Sequence, residues 1–371
     1  MHNDKKVTAM ENIDQPKPQT QTQASASTQA HVYPFEFTGT GREYFKIWIV
    51  NVALTLVTLG IYSAWAKVRT NRYFYANFLL DGEGFEYLAE PLQILKGRVI
   101  ALVALVGYYV MVGLSPLYGG IALAILLCVF PAAIVLSLRF TRRVSSYRNI
   151  RFGFQGTFGE AYKAFLMWPI LSFLSLGLLY PQAQVKMSRF VINNSGYGTQ
   201  NFNFAGTYTD YGKLLLMAIG AFTVTTLIVY MPFILLMITR LGTDSEVPPE
   251  ALGGLASLAL VVPIYGLMFV FAALYMNLKY QLTTLRDHGF ETRITGFGFA
   301  WVWISNIVLV VLTLGLFLPF AKVRLTRYLA SHLSFAAKGS LSDFAAGEHA
   351  SVSALGQEFG NAFDFDIGLG V

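Results

Sequence analysis

The sequence predicts an all-α polytopic membrane protein in which short β segments are subordinate to helices. Three observations carry that expectation. Hydrophobic residues make up 54% of the chain and charged residues 13%, with a mean hydropathy of +0.50. That is more apolar surface than a soluble core hides. Apolar segments of membrane length recur at 45–62, 99–116, 119–138, 162–180, 214–238, 255–276 and 299–318. Finally, a stretch that couples the end of an apolar run to a cationic, aromatic-rich helix occurs three times: TLGIYSAWAKVRTNRY at Thr58–Tyr73, SLGLLYPQAQVKMSRF at Ser175–Phe190 and TLGLFLPFAKVRLTRY at Thr313–Tyr328.

Residues 1–30 are rich in Gln, Thr, Ser and Ala and lack the apolar core of a signal peptide. They read as a disordered tail. From there one register aligns Phe35 with Phe152, Glu43 with Glu160, Gly60 with Gly177 and Arg72 with Arg189. A third, truncated copy follows an insertion near Arg240–Gly254, so the units are 31–147, 148–285 and 286–338, followed by an acidic tail at 339–371.

Each unit opens on an alternating segment, FEF at 35–37 or FGF at 152–154, which suggests a strand. An apolar membrane-embedded helix then runs to a helix-breaking glycine, Gly60, Gly177 or Gly315. Ser63, Pro181 and Pro319 mark the start of a basic amphipathic helix, because Ser caps and Pro suits a first turn. The patches GFEY at 84–87 and NFNF at 201–204 read as second strands, expected to pair with the first. A transmembrane helical pair closes each of the first two units.

Charge favours one topology. If the segments at 45–62, 162–180 and 299–318 dip into the bilayer and return, Arg240 is the one cation outside, whereas seven full crossings would scatter Lys and Arg over both sides. The re-entrant arrangement puts the C-terminus in the cytoplasm. Lys67, Arg69, Arg72, Lys186, Arg189, Lys322, Arg324 and Arg327 are then expected to face anionic headgroups, with the bilayer rather than nucleic acid as partner.

Little points to chemistry. His2, His31, His288, His332 and His349 are never at ligand spacing, Cys128 is the single cysteine, and phosphate-binding, GxSxG and HExxH motifs are missing. No cofactor, metal or enzymatic activity is expected, and Asp81, Glu83 and Glu86 read as solvated loop charges. The intramembrane polar residues Asn51, Thr58, Asn306 and Thr313 suit either a small-solute channel or facilitator, or a structural, lipid-interacting scaffold in which they join helices.

The repeated TLGIYSAWAKVRTNRY stretch, the lead-in FTGTGREYFKIWIVN and the tail SALGQEFGNAFDFDIG together resemble the YjgN-like family of bacterial inner-membrane proteins, from about Phe35 to the C-terminus. The resemblance implies a multi-pass location in the inner membrane. It carries over no catalytic residue, because the family's function is unknown. The middle copy departs from the pattern, with Gln184 where the others have Lys67 and Lys322.

Residues 341–371 hold Asp343, Glu348, Glu358, Asp364 and Asp366 and no Lys or Arg. Val352, Leu355, Phe359 and Phe363 stand at helical spacing. The tail is therefore expected to fold back as a short helix against the cationic surface.

Overall fold

The structure, a computed structural model, describes residues 30–240, 249–339, 341 and 344–352. It corrects the all-α expectation. Helices dominate, but they are held by a closed antiparallel barrel whose strands run around the ring in the order β1-β10-β9-β8-β7-β6-β5-β4-β3-β2. The strands are β1 Ala30–Phe37, β2 Phe78–Leu80, β3 Glu83–Tyr87, β4 Ser145–Tyr147, β5 Ile150–Phe154, β6 Ser195–Tyr197, β7 Gln200–Phe204, β8 Thr283–Leu285, β9 His288–Thr292 and β10 Leu333–Lys338.

Four of the ten strands are too short for alternation to register. The segments 78–80, 145–147, 195–197 and 283–285 have three residues each and follow helices directly. What defines them is the turn that follows. Asp81 and Gly82 (φ 52° and 74°), and Arg148 and Asn149 (φ 48° and 61°), occupy the left-handed region that two-residue hairpins need to match strand twist. The expected pairing of the FEF and GFEY segments is also corrected. Strand β3 pairs with β2 and β4, whereas β1 lies between β2 and β10.

Between an odd strand and the next even strand the chain always makes a helical excursion. The first is α1 Gly41–Val57 with α2 Ser63–Ala76, and the second is α3 Pro91–Leu114 with α4 Pro116–Arg143. The third runs through α5 Phe158–Tyr162, a π-helical turn Lys163–Met167 and α6 Trp168–Leu174 before returning in α7 Tyr180–Asn193. The last two are α8 Tyr208–Arg240 with α9 Pro249–Gln281, and α10 Gly296–Leu312 with α11 Leu318–Ala330. Because neighbouring strands are antiparallel, all five excursions leave and rejoin the barrel at one rim, and the β-hairpin turns lie at the other.

Four helices are long and apolar enough to cross a bilayer, over Pro91–Leu114, Pro116–Arg143, Tyr208–Leu236 and Gly253–Gln281. They form the two long hairpins. No residue of helix α3 is fully buried by protein, and most of its apolar side chains are exposed, a surface suited to lipid. Helices α1 and α10, at 17 residues each, reach only about 25 Å, short of a hydrocarbon core of about 30 Å.

The three short hairpins turn in the same way. At the first, Leu59 N–H donates to Leu56 and Gly60 N–H to Thr55, the paired bonds of a Schellman ending. The residue in the left-handed region there is a leucine, not the usual glycine: Leu59, Leu176 and Leu314 have φ of 50°, 54° and 50°. Each is also about as exposed as a residue can be, at 94%, 95% and 95%. A left-handed leucine costs about 1–2 kcal/mol, and its exposure to water forgoes about 1.5–3 kcal/mol more. Both costs are offset if the tip lies in lipid.

Candidate functional site

The barrel interior holds a cavity open at one end. Alternate residues of each strand point inward, and Phe35, Phe85, Phe152, Phe202, Phe290 and Phe335 line a cavity of about 630 Å³. The size falls within the ~300–1,000 Å³ of small-molecule sites. The rings form a near-continuous belt, with centroids 6.4 Å apart for Phe35–Phe85 and for Phe85–Phe152, 6.3 Å for Phe202–Phe290 and 5.2 Å for Phe290–Phe335. Glu36, Glu86 and Glu291, on the intervening positions, are exposed on the outer face.

Two tyrosines stiffen the wall. The Tyr147 hydroxyl donates to the Leu80 carbonyl at 2.7 Å, and that of Tyr197 donates to the Tyr147 carbonyl at 3.1 Å. Burial pushes the Tyr147 phenol up to about 12 and raises that of Tyr197 as well. Both therefore remain protonated donors at any physiological pH.

The two ends of the cavity differ. At the rim with the β-hairpin turns, Leu341, Phe344 and Ala345 form its floor. Residues 344–352 are helical. The buried Glu348 carboxylate accepts from the Thr199 N–H at 2.9 Å and from the Thr199 hydroxyl at 2.7 Å. Gly198, at φ +60°, makes room for it, since a Cβ there would stand 2.7 Å from Glu348 Oε2. The tail thus folds back, but onto the barrel end; Val352 is exposed, and Leu355, Phe359 and Phe363 lie outside the described residues.

At the helical rim the lining is cationic and polar, from Arg142, Lys322, Asn71, Thr326, Tyr75 and Tyr280. The Lys322 ammonium sits 4.3 Å above the Phe74 ring although much of its stem is exposed. Desolvation, then the nearby Lys67 charge, lowers its pKa. Gln184, the counterpart of these lysines, accepts from the Tyr275 hydroxyl at 3.1 Å.

The intramembrane polar residues are engaged within their own hairpins. Asn51 Nδ2 donates to the Ala66 carbonyl at 3.4 Å and Asn306 Nδ2 to that of Ala321 at 3.2 Å, joining α1 to α2 and α10 to α11. Asn306 Oδ1 also accepts from Arg324 at 3.3 Å, whereas Asn51 Oδ1 is buried with no partner among the described residues. Thr58 and Thr313 each donate to a carbonyl one turn earlier, Leu54 or Leu309, and accept the N–H of Tyr62 or Phe317. These contacts leave few backbone polar groups unpaired at the tips. Gly60, Gly177 and Gly315 sit beside the tip leucines with φ of 93°, 88° and 91° and open space where a Cβ would go or only a distant leucine methyl.

The basic residues divide. Arg72, Arg189 and Arg327 donate to the carbonyls of Ala89, Gly206 and Gly39, each in the next strand-to-helix linker around the ring. Arg139 makes the same bond to Gly156 at 2.9 Å, and Asn277 to Ile294 at 2.7 Å. Neighbouring excursions are therefore latched at five equivalent places. Lys186 lies 5.6 Å over the Trp168 ring, and Lys67 and Arg69 are exposed. Sequence reasoning missed Arg139, Arg142 and the aromatic lumen. The available signal for the latch is the recurrence FTGT at 37–40, FQGT at 154–157 and FAGT at 204–207, where a strand-end Phe that packs on a helix, a linker glycine whose carbonyl accepts the latch and a Thr at the helix start coincide.

Such a chain, with long unburied apolar helices arranged on one rim of a closed barrel, is a membrane protein. It belongs to the family described as bacterial protein of unknown function, DUF898, which it matches over residues 32–362. It is 33% identical over 144 residues to the inner membrane protein YjgN of Salmonella typhimurium strain LT2, an alignment covering 37% of this chain and 35% of that protein. It is 31% identical over 148 residues to inner membrane protein YjgN of Escherichia coli O157:H7, covering 38% of this chain and 36% of that protein, and to the same extent to that of strain K12. The matched stretch is thus about a third of these relatives' length. No solved structure matches the chain.

Proposed function

We propose that the protein is a lipid-interacting inner-membrane protein whose barrel, held at the cytoplasmic surface, receives a small apolar molecule. The observation that carries this reading is that all five helical excursions start and end at the rim where the aromatic cavity opens. Only the two long hairpins cross, and the three short ones are re-entrant, with Leu59, Leu176 and Leu314 at their lipid-inserted tips. Arg139, Arg142, Arg143, Lys279 and Arg327 lie on the barrel side of the helices and Arg240 at the far end of α8, the distribution expected of a cytoplasmic barrel. The inner membrane is the location named for the YjgN relatives.

The test has two parts. On a Cys128→Ala background, Gln200→Cys is expected to resist an impermeant thiol reagent in intact cells; labelling there overturns the one-sided arrangement. Purified protein is expected to bind the neutral apolar fluorophore 1-aminoanthracene saturably, with one site per chain. Absence of saturable binding defeats the pocket.

A small-solute channel or facilitator ranks second. It draws on the axial position of the cavity, whereas Leu341, Phe344 and Ala345 close the far end. Solute flux into proteoliposomes would reverse the order.

A further inference from the structure

The chemistry of the mouth goes further than an apolar ligand. Among the described residues lining the cavity there is no carboxylate, while Arg142 and Lys322 both border it. More positive charge stands behind them. Lys67 lies close enough to Lys322, and Lys279 to Arg142, for each pair to repel.

Ion pairs among the described residues involve Arg148 and Arg293, never these four. Arg142 and Lys279 are half-buried, and such cations are ordinarily paired, because part of the water that would screen them has been removed; Lys322 and Lys67 are more exposed. Here the alternation of the strands sends the nearby acids outward, and the protein keeps like charges together over an aromatic well. The Phe74 ring beneath Lys322 gives that charge one favourable partner, and an anion at the mouth would stabilise the cluster as a whole.

We propose that the barrel is a receptor for an anionic amphiphile, a single acyl or prenyl chain with a phosphate or carboxylate head. The chain lies among Phe85, Phe152, Phe202 and Phe290, and the head is held by Arg142 and Lys322 at the rim. This rests on the pocket proposed above and adds the class of its ligand. Arg142 supplies a planar fork suited to two oxygens of the head. Lys322 adds a point charge, and Asn71 and Thr326 offer neutral hydrogen bonds from the same lining.

The proposal is tested by displacement of bound 1-aminoanthracene from the intact, detergent-solubilised protein. Dodecyl phosphate and dodecanoate are expected to displace it at concentrations at least tenfold lower than dodecanol, which shares the tail and lacks the charge. Inorganic phosphate, a head without a tail, is expected to displace nothing at the same concentrations.

In the double variant Arg142→Gln, Lys322→Gln the preference for charged heads is expected to fall below threefold, with the dodecanol value unchanged. That unchanged value also shows that the variant is folded. Equal displacement by dodecanol and dodecyl phosphate in the natural protein overturns the anionic assignment while leaving an apolar pocket. Failure of the fluorophore to bind overturns both. Retention of the full preference in the double variant removes Arg142 and Lys322 from the site and overturns the assignment as stated.

Discussion

The Arg327 guanidinium donates to the Gly39 carbonyl at 2.8 Å. This bond joins α11 to the linker that follows the first strand, and so latches the ring where the chain itself does not. Arg72, Arg139 and Arg189 make the equivalent bond between excursions that a strand pair already connects.

Arg327→Gln is therefore expected to cost about 1.5–3 kcal/mol, the range for hydrogen bonds from charged donors. Arg69→Gln, at an exposed position one helix away, is expected to change stability by no more than about 0.5 kcal/mol. Thermal unfolding in one detergent compares them, and equal losses would mean that the latch carries no weight.

The tip leucines give a prediction whose sign depends on the solvent. Replacing Leu59, Leu176 and Leu314 by glycine relieves left-handed strain, so the melting temperature in detergent is expected to hold or rise. Lipid binding is expected to move the other way, since each tip loses a side chain worth about 1.5–3 kcal/mol on burial. Thermal unfolding in lipid vesicles, where the lost burial adds to the change seen in detergent, measures this, and an equal change in both would place the tips outside the bilayer.

The barrel floor is expected to respond to pH through His288. Its Nδ1 accepts the Lys338 N–H at 3.0 Å, and its ring meets Phe344 edge-on at 4.6 Å. Desolvation by burial holds its pKa below the ordinary value of 6.5. The unfolded chain therefore binds the proton first as pH falls, so the stability this residue contributes is present above pH 6.5 and is lost as pH drops through the folded-state value. The melting temperature is expected to fall between pH 7 and pH 5 more in the natural protein than in His288→Asn, whose amide oxygen can accept without titrating. Parallel curves would exclude the histidine.

Glu348 ties the floor helix to the barrel through Thr199. Glu348→Ala removes two hydrogen bonds that the exposed Thr199 makes to a charged acceptor, and their loss is expected to cost about 1.5–3 kcal/mol. Proteolysis within residues 344–352 is expected to accelerate at least fivefold while cleavage elsewhere is unchanged. An unaltered cleavage pattern would show that apolar packing of Leu341 and Phe344 alone seats the segment.

Much of this architecture can be read without coordinates. The apolar segments, the glycines at 60, 177 and 315 and the turn to a basic helix after each are local properties of the chain. So is the clustering of Lys and Arg beside the apolar segments, since cations cross a bilayer at high cost wherever the fold takes them. The FEF, FGF and NFNF segments are legible as strands for the same local reason, period-two alternation of large apolar groups.

Closure of the barrel is not local. Strand β10 meets β1 across almost the whole chain, at Phe335 opposite Tyr33, and neither segment states its partner. Three-residue strands such as Ser145–Tyr147 carry no period to detect, and they become strands only because neighbours on both sides supply their hydrogen bonds. The site follows from that closure. Arg142 and Lys322 stand on different helices, far apart in the chain, as unremarkable members of basic stretches. Only the ring, by fixing which face of each helix looks down its axis, brings them to one mouth and leaves Arg69 outside.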